Sequence, residues 1–476
     1  MPEPALNEVN VRHLLRRTEF VDRSDRVAAL LALGSIGEAV QNVLSISAAP
    51  PPSVSFVTAQ NWERGVELTH FWLDQMATDS PRPFQERMAF FWHSHFCSDL
   101  AKVASAVLMR EQIDLWRREG LGNIRSLATT MSTHVAMIRY LDNNQNKATS
   151  PNQNFARELM ELFLLGVGNY TEADVESSAA AWTGHTDQWD DPVSPYRWRP
   201  EWHDSRAKTY LGRAINTNAD PTAWPLHGPE TINVVLGTGI VPAGADNVAN
   251  RGRATRDVAA EFLSRKLWNG FAIDGVPPTD VLGAMRAALV TNDFDVRPWV
   301  TAMLTHPAFY TDQVKTGLVR TPVDYTVALL AAIGKRSAAV NAIWLMESMG
   351  QRPLYPPNVS GWRPNGYWVN ASAMEGRART AQSFAWAATR TYWQAGGGGL
   401  ISLRNGSLTN IQVTAKTGGL PTLSNAEYIG LLEEYMGIRL TDASRAEIVR
   451  YANGATVWER NDALILMMLA PEMHVA

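Results

Sequence analysis

Cysteine is almost missing: the 476-residue chain carries one, Cys97. A lone thiol forbids an internal disulfide and any zinc or iron–sulfur centre built from several thiolates, so Cys97 reads as a small buried hydrophobe. Charge is thin as well. Charged residues make up 19%, the formal net charge is −4, and Lys and Arg are scattered without a basic run, so the electrostatic footprint of a nucleic-acid binder is lacking. No apolar stretch approaches the length of about 18 residues that a membrane helix needs, and no membrane association is expected. The start, MPEPALNEVNVRHLLRR, has no apolar h-region, which points to a cytoplasmic protein in this form, or to an exported one if a signal has been removed. A Gly-rich phosphate loop, a nucleophile elbow, an H-E-x-x-H pair, a dinucleotide fingerprint and an aspartate-rich diphosphate motif are all missing. The commonest NTPases, α/β-hydrolases, zincins and Rossmann oxidoreductases are thereby set aside.

What is present is apolar and rich in tryptophan. Hydrophobic residues reach 45% and Trp numbers 17, which implies a large core together with a deep aromatic interior or clefts that stack flat ligands such as sugars. Helical periodicity dominates. The N-terminal region predicts two amphipathic helices, Val9 to Arg17 and Ser24 to Leu44, ended by Pro50-Pro51-Pro52. Further helices are predicted over 60–77, 83–96, 105–118, 122–140, 154–166, 172–183, 254–270, 279–292, 296–304, 322–334, 337–349 and 372–392, one of them opened by the capping-box spacing Thr171-x-x-Asp174. Residues 184–227, dense in Trp, Pro and Asp, are too long for an ordinary connection and predict a lid or a small hairpin excursion. The expected architecture is mainly α: a large multi-helix bundle over 1–390 that includes the irregular Trp/Pro-rich lid, then 391–476, a loop near 395–407 and a small C-terminal helical part.

The segment NQNFARELMELF, residues 152–163, poses the sharpest chemical question. As a helix its apolar residues spread around most of the circumference, yet it holds Arg157, Glu158 and Glu161, and unpaired buried charge costs several kcal/mol. Glu158 and Glu161, at i and i+3, match the way helical metalloproteins present two carboxylates. Arg157 and Glu161, at i and i+4, match an intrahelical ion pair. Asn154 is placed as N-cap. In FFWHSHF, residues two apart on a helix point about 200° away from each other, so His93 and His95 cannot both face such a site unless the helix ends there, and one left outside it is expected to bond a backbone group. His203 beside Asp204 supplies a further imidazole with a neighbouring carboxylate. Asp142-Asn143-Asn144-Gln145-Asn146 imitates the start of a calcium loop, but Lys147 and Gln153 stand where its glycine and bidentate glutamate belong. A polar loop bonding backbone is the better reading. The Pro- and Gly-fixed run Pro356 to Asn370 predicts an ordered, aromatic pocket wall.

Taken together, FWHSHF, DNNQN…PNQNFARELMELFLLGVGNYTEADV, AWTGH, WHDSRAKTYLG, EFLSRKLW and PPNVSGWRPNGYWVN resemble the bacterial domain-of-unknown-function family numbered eighteen hundred, in the same order across roughly residues 10 to 390. The resemblance implies no activity. It implies that His93, His95, Asn154, Arg157, Glu158, Glu161, His203 and Asp204 fall on motif positions, that relatives are often exported, and that a sulfatase-like protein is a candidate partner. His185 and Gln153 depart from the Trp and Glu more usual there.

Three functions fit these residues. The first is a metal-dependent enzyme, with His93, His95, Glu161 and His203 as ligands to zinc, iron or manganese and with Glu158, Arg157, Asp204 and Asn154 around the reacting groups, performing hydrolysis or oxygen chemistry on a small-molecule or carbohydrate substrate. The second is a helical scaffold or binding partner whose Arg/Glu/Asn network is structural. The third is a metal-free acid–base enzyme that divides the roles between the paired glutamates.

Overall fold

Capping residues, prolines and apolar stripes set most helix ends. The computed structural model describes residues 3–45, 51–188, 196–363, 365–394, 400–401, 411–412, 424–454 and 457–475. It is mainly α, and among the described residues the strands form only three two-stranded antiparallel pairs. Asn7, Ser35, Ser105 and Thr171 each accept a first-turn N–H. Full capping boxes open the helices Glu172–Ala181, Pro322–Ile333 and Asn425–Met436. Each such cap contributes about 1 kcal/mol to a helix that is otherwise marginal in water.

Three predicted helices change form. The span from Ser24 to Leu44 divides into Ser24–Leu31 and Ile36–Leu44, with Ser35 capping the second half. The span 122–140 breaks at His134, whose extended backbone and ring nitrogen start Val135–Tyr140. Asn154–Glu158 passes into a π-turn, Leu159–Leu164. The 184–227 region contains two hairpins, His185–Asp187 with Tyr196–Trp198 and Lys208–Tyr210 with Arg213–Ile215, followed by the helix His227–Asn233; residues 189–195 lie outside the described set. The predicted loop near 395–407 also lies outside it, apart from the short strand Leu400–Ile401.

Much of the tryptophan surplus is core. Trp72, Trp92, Trp116, Trp182, Trp268 and Trp299 are fully buried in one contiguous apolar cluster, and Trp368 is fully buried as well. Their indole N–H groups find partners where the fold offers one: Trp92 donates to the Gly120 carbonyl at 2.7 Å, Trp299 to Ser264 at 3.0 Å and Trp72 to Glu86 at 3.2 Å. The last helices are tied to the body by backbone and side-chain bonds, Arg320 N–H to the His474 carbonyl at 2.8 Å and Tyr325 O–H to the Met468 carbonyl at 2.9 Å. Among the described residues no helix is long and apolar enough to cross a membrane.

Candidate functional site

Pro83, pre-set for the first helical position, starts the helix Pro83–His95, which ends at Phe96. Its last turn sends the two histidines to opposite sides, as the helical angle requires. His93 is enclosed by Trp72, Trp116 and Trp362, with ring centroids 5.3–5.4 Å away, and its Nε2 accepts the Leu354 N–H at 3.0 Å. His95 turns the other way. Its Nε2 lies 2.9 Å from the Phe163 carbonyl and must donate there, which leaves Nδ1 as an unprotonated acceptor, buried and without a protein partner.

That carbonyl is available because of the π-turn. The N–H groups of Leu165 and Gly166 both reach the Met160 carbonyl, at 2.8 and 2.9 Å, so the chain turns away and the terminal carbonyls need outside donors. His95 serves Phe163, and Lys266 Nζ serves Leu162 at 2.8 Å. Lys266 comes from the helix Thr255–Phe271, one turn before Asn269, whose Oδ1 is another buried acceptor without a partner.

The loop after Leu354 closes the space. Gly361 has φ +76°, and a Cβ there would lie 2.4 Å from the Ser94 carbonyl and 3.2 Å from Cys97 Sγ, so only glycine lets this loop press onto the helix end. Trp362 then stacks on Phe90 at 6.4 Å. Gly361→Ala is expected to lower stability by about 2–3 kcal/mol, because the new side chain meets backbone in a left-handed conformation. The urea midpoint measures it, and an unchanged midpoint would show that the loop does not need this approach.

Between these elements lies a cleft of about 300 Å³. His95, Phe90 and Phe91 form one wall, Lys266, Asn269 and Phe271 a second, and Ser360, Trp362, Arg363 and Asn365 a third, with the buried Arg87–Asp324 ion pair and Gln351 completing it. Burial pulls the Lys266 ammonium down to about 8. Burial, reinforced by Lys266, holds His95 well below its ordinary value, so the ring is neutral. Cys97 is buried beside this site, and burial pushes its thiol up to about 12, which makes it the inert hydrophobe expected of it.

The residues singled out from the sequence fall in several places. Arg157 does not pair with Glu161; it grips Glu172 with two bonds of 2.8 Å, because the π-turn rotates Glu161 out of the i,i+4 register. Glu161 accepts from Tyr170 O–H at 2.6 Å. Glu158 is half-buried, and burial followed by the charge of Glu161 raises its carboxyl above the usual range. The three charges therefore lie on a partly wet face rather than inside the core. Asn154 is the first helical residue rather than the cap; Asn152 Oδ1 accepts the Asn154 N–H at 2.9 Å, and Asn154 Nδ2 donates to the Leu141 carbonyl. Asn143 and Asn146 bond backbone carbonyls at the end of the helix Glu172–Ala181.

His203 sits in a separate aromatic nest. Its Nδ1 donates to the Thr183 carbonyl at 2.8 Å, and its Nε2 is 2.9 Å from His227 Nδ1, with Trp198 and Trp224 against the ring. Asp204 does not orient it. That carboxylate is taken by Arg206 and Lys208, and the Arg206 bond holds it far below the usual carboxylate range. His93, His95, Glu161 and His203 are thus not gathered together: among the described residues no group of three or more His, Cys, Asp or Glu is placed to hold a metal ion. Among the tryptophans, Trp362 lines the cleft, whereas Trp182 and Trp368 are core, Trp198 backs His203, and Trp202 lies under Lys147 and Arg199. Among the described residues, none from 184–227 lines the cleft. Lys266 and Asn269 were not anticipated, although EFLSRKLW holds a signal: a lysine on an amphipathic helix with no acid at i±4.

A profile of the DUF1800 family, described as a protein of unknown function, matches residues 13–475. No curated protein and no solved structure matches the chain.

Proposed function

We propose, for a chain that belongs to the DUF1800 family of unknown function, that it is an enzyme acting on a small carbonyl-bearing molecule in the cleft, with Lys266 as its reactive amine. The observation that carries this reading is Lys266 itself: a cleft-lining amine held by a backbone carbonyl, with no ion-pair partner among the described residues, between aromatic walls. With a pKa of about 8, roughly a tenth of it is the free amine at pH 7. A free amine in an apolar site attacks a carbonyl carbon, forming the C–N bond and releasing water as the imine forms, or removes a proton next to that carbonyl. His95 Nδ1 and Asn269 Oδ1 are hydrogen-bond acceptors without a protein donor, suited to orienting a hydroxyl.

The metal-dependent reading rests on sequence spacing, and among the described residues no cluster of ligands supports it. The acid–base reading has one favourable observation, the raised carboxyl of Glu158 beside Glu161. Retention of full activity in Glu158→Gln would count against it.

Reductive trapping tests the amine. Benzaldehyde with cyanoborohydride at pH 7, followed by peptide mass spectrometry, is expected to modify Lys266 at least about ten-fold faster than Lys102, whose ammonium is engaged by the Asp142 carboxylate at 2.9 Å. The Lys266 rate should rise with a midpoint near pH 8. An unmodified Lys266, or a midpoint above 10, would remove the proposal.

A further inference from the structure

The cleft is charged in one direction. Its lining holds Arg87, Lys266 and Arg363 but a single carboxylate, Asp324. Asp324 is already engaged: it pairs with Arg87 and accepts the Thr321 N–H and O–H, at 3.2 and 3.0 Å, in the capping box of its own helix. Lys266, half-buried, and Arg363, exposed, are left without a counter-charge among the described residues. Behind the Arg87–Asp324 wall the interior adds more positive charge. Arg17 is fully buried with Nε and Nη1 unpartnered, and Arg16, Arg87 and Arg320 are the cations acting on it.

A second, independent observation concerns hydrogen bonds. His95 is 3% exposed, and its Nδ1 is an acceptor without a donor, as is Asn269 Oδ1. A buried acceptor is costly to leave unpaired, and an occupant carrying an N–H or O–H would satisfy these two. Phe91, Phe271 and Trp362 offer apolar surface to a flat body.

We infer that the cleft recognises an organic anion: a flat, apolar body with a carboxylate or phosphoryl head set against Lys266 and Arg363, and a hydroxyl or N–H donor turned to His95 Nδ1 and Asn269 Oδ1. This rests on the reading of the cleft as the functional site and narrows its substrate class. A carboxylate would gain charge-assisted bonds from both cations, whereas an amine-bearing ligand meets like charge.

The test uses the full chain and four aromatic probes: 4-hydroxybenzoate, phenyl phosphate, phenol and benzylamine, each scored by thermal shift and by protection of Lys266 from benzaldehyde trapping. The anions are expected to raise Tm by several degrees at millimolar concentration and to slow trapping at least five-fold, while phenol and benzylamine do little. The stronger of the two anions identifies the head group. Lys266→Met should weaken anion binding at least ten-fold, Lys266→Arg should retain most of it, and Arg363→Ala should lose several-fold with the melting temperature of the free protein unchanged. If phenol or benzylamine protects as well as 4-hydroxybenzoate, or if no probe protects while Lys266 still traps benzaldehyde, the anion is wrong and the amine site stands. Failure of trapping itself would remove the site and this inference together.

Discussion

Acidification from pH 7 to about 4 is expected to unfold the protein, with the loss beginning near pH 6.5. Several imidazoles are sealed in the interior as neutral rings: burial lowers both His93 and His185 from 6.5 to about 3 and, together with neighbouring arginines, puts His13 far below its usual value. Above pH 6.5 these rings are neutral whether the chain is folded or not and cost nothing. Below it the unfolded chain takes up protons that the folded chain refuses, so stability falls with pH until the folded values are reached. One pKa unit is about 1.4 kcal/mol, so each ring withdraws up to roughly 3 kcal/mol by pH 4. Two or three of them consume most of the 5–15 kcal/mol that keeps an ordinary protein folded. A carboxylate held low acts later. Asp204, held low by Arg206, gives up its contribution only below its ordinary 3.8. Intrinsic fluorescence reports the transition directly because seven tryptophans are fully buried. His185→Gln should shift the midpoint to lower pH. Native emission and near-UV dichroism persisting at pH 4 would mean that these rings are not sealed as described.

Glu86→Ala is expected to cost about 3–5 kcal/mol, the largest effect of any single substitution considered. Glu86 and Arg117 both have side chains with no exposure, and they are joined by Arg117 Nε at 2.9–3.0 Å and Nη2 at 2.8 Å. Trp72 adds its indole N–H to the same carboxylate. Removing the acid strands a guanidinium in the core, and the remaining bonds of Arg117, to the Pro52 carbonyl, Asp114 and the Gln75 amide oxygen, do not replace the bidentate carboxylate. Replacing both partners with apolar residues, Glu86→Leu with Arg117→Met, should recover a large part of the loss, because the desolvation penalty disappears with the charges. Urea denaturation of the parent, the single variant and the pair measures both. A single variant within about 1 kcal/mol of the parent would show that water reaches the guanidinium.

The opposite orientations of His93 and His95 were legible because rotation per residue is a property of any helix. The partner of Arg157 was not. A π-turn changes the register after Glu158, and nothing in FARELMELF announces it. The wall formed by Ser360, Trp362 and Arg363 was legible from its prolines and glycines, whereas the lysine it encloses looked like one more cation on an amphipathic helix.

The amino-acid order alone determined what depends on near neighbours: the predominance of helix, the capping boxes at Thr171 and Thr321, and the exclusion of disulfides and thiolate metal centres. Tertiary structure alone decided which groups meet, bringing Lys266 to the Leu162 carbonyl and His95 to Phe163 while keeping His203 in a nest of its own. The physical reason is that a cap is a bond between residues a few positions apart. A displaced pKa or an unsatisfied acceptor is instead set by desolvation, which every surrounding segment contributes to and no single segment specifies.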